Sequence, residues 1–314
     1  MSALRALLSE VVDYAGLFPP AALPMPAVIK NYEEYVPSEN NWMLARLILP
    51  AGRLSEFATL YQELFPNGLS QDAWLISALI PPANAPDDGL AKALQQIAQF
   101  NAECEFAKVD TVEGKLPQSD LIQTTCEMIP AGLQAFLEVP WQDPNDTIGK
   151  LAAYLTDSGR ANTFAKIRTG SVTEDLIPSS ERVANFIHAC AAAELGMKAT
   201  AGLHHPLRGR YPLTYQSAAE VGTMHGFMNV FLACCFANEK GWSQQQLQSL
   251  LEDTNAQNFS CDETGISYKD QRVDLEEIQS TRRRFVVSFG SCSFTEPLQD
   301  LVALGWLADA AKTV

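Results

Sequence analysis

Two stretches decide the fold: Asn162-Thr163-Phe164-Ala165-Lys166-Ile167-Arg168-Thr169-Gly170 and Met197-Lys198-Ala199-Thr200-Ala201-Gly202-Leu203-His204-His205-Pro206. Each is a short apolar run interrupted by a lysine and ended by a small-residue turn, the pattern of a strand. Between them Val183, Phe186, Ile187, Cys190 and Ala191 recur at helical spacing, and Ser179 or Ser180 can cap the helix start. The segment reads as strand, helix, strand, which places the two lysines at equivalent points of consecutive parallel strands.

Working outward, the same rhythm repeats. Strand-like runs end near Leu49, Ile80, Asp110, Val139, Arg168 and Leu203, a spacing of about 30 residues that suits a βα unit. Helical patterns fill most intervals, as at 54–64, 90–100, 121–129 and 148–155. A brief first strand at Val12-Asp13-Tyr14 and a last one at Arg284-Phe285-Val286-Val287-Ser288-Phe289 raise the number to eight. Alternating strands and helices force a parallel sheet, and eight such units close into a (β/α)8 TIM barrel. An open doubly wound sheet would want a glycine-rich loop after its first strand, and Gly16-Leu17-Phe18-Pro19 is not one.

The expectation is one barrel domain over 1–314, with 207–280 inserted between the seventh and eighth strands. In that insertion the sequence predicts an apolar helix over 218–238, a polar one over 243–252 and a hairpin turning at Asp262-Glu263-Thr264-Gly265. Because it leaves the C-terminal end of a strand, it is expected over the barrel mouth.

Composition narrows the function. A net charge of -15 repels a phosphate backbone and an anionic membrane face. Neither nucleic acid nor a membrane is an expected partner. Residues 1–12 lack an apolar core followed by a small-residue cleavage site, and the longest apolar run, 227–237, is too short to span a bilayer. A cytoplasmic location is therefore expected. The seven cysteines form no C-x-x-C pair and sit mostly in apolar segments, which suits reduced, buried thiols.

Side chains alternate along a strand, so an inward Lys166 brings Arg168 with it, and Lys198 shares a face with Thr200, Gly202 and His204. Two ammonium groups about 5 Å apart at an effective dielectric of about 20 repel by about 3 kcal/mol, or about two pKa units. That is the means of producing a neutral, nucleophilic amine for Schiff-base chemistry. The plainer reading has a lysine snorkelling to the rim or pairing with Glu138. Asp110 and Glu138, at the ends of the fourth and fifth strands, are candidate proton carriers beside an imine; either can instead be a partner for Lys108, Arg168 or Lys198.

The lysine strands resemble those of class I aldolases of the deoxyribose-phosphate aldolase type, which carry K-x-S-T-G on the sixth barrel strand and K-A-S-G-G on the seventh. Val12-Asp13-Tyr14 through Leu17 is similar to that family's first-strand I-D-H-T-x-L, 106–110 to its fourth strand, Leu137-Glu138 to its fifth-strand I-E-T, and Phe289-Gly290-Ser291-Cys292-Ser293 to its eighth-strand phosphate loop. The resemblance implies Lys166 as the Schiff-base lysine, Lys198 as its pKa-lowering neighbour and Asp110 as proton relay. It further implies that Gly202, Gly290 and Ser291 offer backbone N–H groups to a phosphate. No cofactor is implied.

The chain also departs from that pattern. Arg168 replaces a small residue, Ala201 interrupts the double glycine, His204-His205 replaces an isoleucine-arginine pair, and the insertion has no counterpart. An inward arginine grips a carboxylate or phosphate bidentately, which points away from deoxyribose phosphate itself and toward another small anionic carbonyl compound. Thr169 and Thr200 beside the lysines, His204, His205 and His225, and Arg208 with Arg210 and Tyr211 near it, complete the candidate substrate-binding set. A second reading is a metal-assisted lyase or hydrolase built on His204, His225 and an acidic residue. A third is a barrel that binds an anion through Arg168 and the Gly290 loop without catalysis. Homo-oligomerisation is left open by the sequence.

Overall fold

Eight parallel strands close into a barrel in the computed structural model, which describes residues 2–66, 73–141 and 144–308; Met1, 67–72, 142–143 and 309–314, within the expected domain, lie outside the described residues. The strands in chain order are β1 (Val12–Tyr14), β2 (Leu44–Pro50), β3 (Trp74–Ile80), β4 (Ala107–Lys115), β5 (Gln134–Glu138), β6 (Thr163–Arg168) and β7 (Met197–Thr200). After β7 come a two-stranded antiparallel hairpin, β8 (Gly209–Pro212) and β9 (Val221–Met224), and a three-stranded antiparallel sheet, β10 (Phe259–Cys261), β11 (Gly265–Tyr268) and β12 (Gln271–Asp274). Strand β13 (Val286–Ser291) then pairs with both β7 and β1 and completes the ring. The (β/α)8 architecture expected from the strand rhythm is the one observed.

The apolar core lies between the barrel and its helices. Outward residues such as Leu49, Ile76, Val109, Leu137, Ile167 and Ala199 belong to one buried apolar cluster. The inner face is different. It carries Asp13, Ser77, Glu113, Lys166, Lys198 and Ser288, all buried. Burying charge this way is tolerable only when each group is paired and hydrogen-bonded, and that requirement shapes the site.

Strand β4 is longer than its sequence reads. It runs through Asp110 to Lys115, and its pairing with β3 jumps from Val109↔Ile76 to Thr111↔Ser77, leaving Asp110 as the extra residue of a bulge. A bulge re-phases the in/out alternation, so the inner position near the C-terminal end belongs to Glu113.

The helix Ser180–Ala192 is capped by Ser179, whose hydroxyl accepts from Arg182 N at 3.3 Å. Of the expected insertion helix 218–238, residues 221–224 instead form β9, and the helix spans Phe227–Lys240. It is buried from Phe227 to Ala237 because it belongs to the barrel wall: it packs against the helices Ser180–Ala192 and Leu275–Arg284, and the Phe227 ring stacks on Phe289 of β13 at 5.3 Å. Gly241, at φ 62°, ends it in the left-handed conformation that suits glycine. The helix Gln244–Glu252 and the Asp262–Gly265 turn form as expected, the Asp262 carboxylate accepting from Thr264 N and Gly265 N. The three-stranded sheet contacts the helix Ala3–Leu8, which leads into β1, so it lies toward the N-terminal end of the barrel. The part of 207–280 that reaches the mouth is the β8–β9 hairpin, through Tyr215 between its strands.

Candidate active site

Lys166 and Lys198 are register partners on β6 and β7, and Glu138 on β5 is the register partner of Lys166. The three form a row across adjacent strands. Glu113 of β4 lies between the amines: Lys166 Nζ donates to Glu113 Oε2 at 3.0 Å and Lys198 Nζ to Oε1 at 2.6 Å. Lys198 also donates to Asp13, and Lys166 is 3.3 Å from Glu138 Oε2. Ser77 donates to Glu113 at 2.7 Å, while Ser288 and Arg46 N donate to Asp13 at 2.6 and 3.0 Å. Arg168 Nε approaches Glu138 Oε1 at 3.6 Å.

This arrangement reverses the electrostatic expectation for Lys198. Burial alone would lower its pKa, but Asp13 and Glu113 outweigh burial and raise it. Burial would likewise raise Glu113, yet the Lys198 and Lys166 ammoniums and the Ser77 hydroxyl hold it well below the usual carboxylate range. Interposed carboxylates have replaced amine–amine repulsion as the governing interaction.

The two lysines differ in access. Lys198 is 0% exposed, lies with its Nζ 5.1 Å from the Phe136 ring centre, and is sealed into the network. Lys166 borders a cavity of about 100 Å³ together with Glu113, Arg168, Thr200, Gly202, His204, Gly290 and Cys292. Arg168, Gly202 and His204 also border a second cavity, of about 220 Å³, closed by His205, Tyr215 and Glu296. Both open where β6, β7 and β13 end, the face on which barrel active sites are built.

The turns after β6 and β7 touch. A Cβ on Gly170 would lie 2.8 Å from Gly202 N and nearer still to Gly202 Cα. Thr169 N donates to Thr200 O at 2.8 Å and its hydroxyl to Ala201 O at 2.7 Å, so Thr169 fastens the two turns together. Ala201 and Gly202 both have positive φ, 62° and 74°; the left-handed backbone survives the alanine that interrupts the double glycine.

His204 Nδ1 lies 2.9 Å from Glu296 Oε2 and its Nε2 3.9 Å from Cys292 Sγ; Tyr215 donates to the same Glu296 oxygen at 2.7 Å. Burial would lower the His204 pKa, but Cys292 and Glu296 overcome it and lift it to about 9. His205 Nδ1 pairs with Asp300 at 2.6 Å and stacks on Tyr211, ring centres 3.5 Å apart.

Other candidates sit elsewhere. Asp110 is held bidentately by Arg46 at 2.7 and 2.8 Å, toward the N-terminal side of the barrel lumen, rather than among the lysines. His225 is fully buried, its Nε2 donating to Pro178 O at 2.8 Å, and burial together with nearby Arg208 brings its pKa down to about 4 against the pull of that carbonyl. Arg208 approaches His225 at 3.4 Å and its backbone N–H donates to Asn229 Oδ1. Ser291 is buried, its hydroxyl donating to Ser293 O at 2.7 Å. Among the described residues no group of three His, Cys, Asp or Glu side chains is placed to hold a metal ion, and no helix is long and apolar enough to cross a membrane.

The residues overlooked in the sequence are Glu113, Asp13, Ser77, Cys292, Glu296 and Tyr215. Asp13 is the aspartate of the first-strand motif, which is the signal that could have found it. Glu113 carries no local signal, because the bulge that turns it inward is a property of the β3–β4 pair.

No protein-family model and no curated protein sequence matches the chain. Among solved structures it is similar to the catalytic domain of a hyperthermophilic chitinase from Pyrococcus furiosus, at 13% identity and TM-score 0.37, covering 75% of this chain and 82% of that one. It is also similar to a lysine decarboxylase from Selenomonas ruminantium, at 10% identity and TM-score 0.33, covering 92% of this chain and 57% of that one. The fold assignment stands on the closed strand order itself.

Proposed function

We propose that the protein is a Schiff-base-forming aldolase or lyase acting on a small carbonyl compound that carries a carboxylate or phosphate. One observation carries the reading: of two register-matched lysines, Lys166 borders the cavity at the strand ends, with Glu113 and Glu138 on either side of its amine. Attack on a carbonyl requires the amine to release a proton, and Glu138, 3.3 Å from Lys166 Nζ, is within reach to take it, while Glu113, held strongly acidic by both lysines, stays ionised and balances charge. Loss of water then forms an iminium ion, which keeps the positive charge that the carboxylates already balance. As a carbon–carbon bond breaks, its electron pair flows into the iminium; Glu138, bordered by solvent-exposed Arg168, is the proton carrier for the departing hydroxyl and for the enamine. Lys198, beside the reacting amine on the adjacent strand and itself anchored to Asp13, holds Glu113 in place together with Ser77. Arg168 supports the anionic substrate class, since its half-exposed guanidinium borders both cavities.

The metal-assisted alternative gains no support from the placement of His204 and His225. They face different partners, Glu296 and the Pro178 carbonyl. The test is reductive trapping. Incubation with a panel of aldehydes and keto acids followed by borohydride is expected to leave an adduct on Lys166, detected by peptide mass spectrometry. No adduct there, under conditions that trap a known class I aldolase, removes the reading and leaves a barrel that binds anions through Arg168.

A further inference from the structure

The imine reading leaves a second nucleophile in the same cavity unused. Cys292 follows β13 and is buried, yet its side chain borders the cavity shared with Lys166 and His204. His204 Nε2 faces its Sγ at 3.9 Å, and the other ring nitrogen, Nδ1, lies 2.9 Å from Glu296 Oε2. Glu296 is fixed in turn: its backbone N–H donates to Ser293 Oγ at 3.1 Å and its carboxylate accepts from Tyr215. A nucleophile, a base and a group that orients the base thus stand in line, the order on which activated thiols are built.

We propose that Cys292, His204 and Glu296 form a second nucleophilic centre, a thiol that adds reversibly to the carbonyl carbon of a small aldehyde. His204, with its pKa lifted to about 9, holds the proton shared with the sulfur on Nε2 at neutral pH, and Sγ, relieved of it, forms the S–C bond. The C=O π pair moves onto oxygen, and His204 returns the proton to that oxygen. The product is a hemithioacetal, formed without oxidant, reductant or leaving group. Tyr215, whose hydroxyl lies 3.7 Å from Sγ, donates its hydrogen bond to Glu296 and so holds the carboxylate that orients His204. The charged and titratable groups around the sulfur are His204, Glu296, Tyr215 and Tyr14, with Lys166, Arg168 and Glu113 across the cavity.

The other cysteines provide an internal standard. Cys261 is exposed on β10, and burial of part of its side chain together with Asp262 and Glu263 raises its pKa. Reactivity governed by exposure labels Cys261 first; reactivity governed by activation labels Cys292 first. Iodoacetamide labelling of the full chain at pH 7, followed by peptide mass spectrometry, is expected to modify Cys292 about tenfold faster than Cys261, and His204→Asn or Glu296→Gln to slow Cys292 about tenfold without altering Cys261. Cys261 labelled ahead of Cys292, or a Cys292 rate unchanged in both variants, overturns the proposal. For the aldehyde assignment, glyoxylate is expected to protect Cys292, whereas pyruvate, a ketone that forms imines but adds thiols poorly, is not. Equal protection by both, or by neither, overturns that assignment. The labelling arm uses no carbonyl compound, so a failed trap at Lys166 does not affect it, and its own failure leaves the imine reading standing.

Discussion

Glu113→Gln tests the electrostatic core of the site most sharply. Glu113 is 2% exposed and accepts from both amines, at 2.6 Å from Lys198 and 3.0 Å from Lys166. The substitution keeps the shape and one acceptor oxygen but removes the charge that separates two ammoniums on adjacent strands. Stripping one partner from a buried ion pair costs about 3–5 kcal/mol, and amine–amine repulsion of about 3 kcal/mol at 5 Å and a dielectric of about 20 falls in the same range. Urea unfolding at pH 7 is therefore expected to show a loss of about 3–5 kcal/mol.

The pH dependence has a definite sign. In the wild type the lowered Glu113 contributes stability that is present above its unfolded pKa of about 4.3 and is lost as pH falls through the folded value; the raised Lys198 contributes stability present below about 10.4 and lost as pH rises through its folded value. In the variant an under-compensated lysine has a depressed pKa, so the deficit shrinks as pH climbs toward about 10.4. A second substitution checks the cause. Lys166→Met in the Glu113→Gln background leaves Lys198 with Asp13 and Arg168 with Glu138, restoring charge balance, and is expected to recover about 2 kcal/mol or more. A Glu113→Gln loss under about 1 kcal/mol, or a double variant less stable than the single, refutes the view that Glu113 holds the lysines.

Other outcomes follow from individual contacts. Asp110→Asn is expected to leave the borohydride-trapped yield at Lys166 within about twofold, because Asp110 is committed to Arg46, while Glu138→Gln slows trapping about tenfold or more. Arg168→Ala is expected to raise KM for a carboxylated carbonyl compound by about 10- to 100-fold, the worth of a charged hydrogen bond, with little change for an uncharged analogue. Gly170→Ala forces a methyl onto the Gly202 backbone and is expected to cost about 1–3 kcal/mol, read as a lower Tm. Asn229→Ala removes the fully buried amide that donates to Leu250 O and Asp253 O and accepts from Arg208 N. It is expected to cost about 1–3 kcal/mol or more by the same measurement.

The sequence by itself determined the barrel and the lysine pair, because both rest on short-range periodicity. A βα repeat forces parallel pairing, and equivalent positions on consecutive strands become neighbours whatever the loops do; Lys166 and Lys198 are register partners for that reason. Tertiary structure alone decided what surrounds them. The β4 bulge depends on how β3 and β4 pair, and it gives the inner position near the lysines to Glu113 while Asp110 meets Arg46 two strands away. The hairpin that brings Tyr215 to Glu296, and the turn that places Cys292 opposite His204, join residues 81 and 88 apart in the chain. Local patterns carry the spacing of a strand, but the charge balance of a buried site depends on which distant strands face one another, and no local pattern records it.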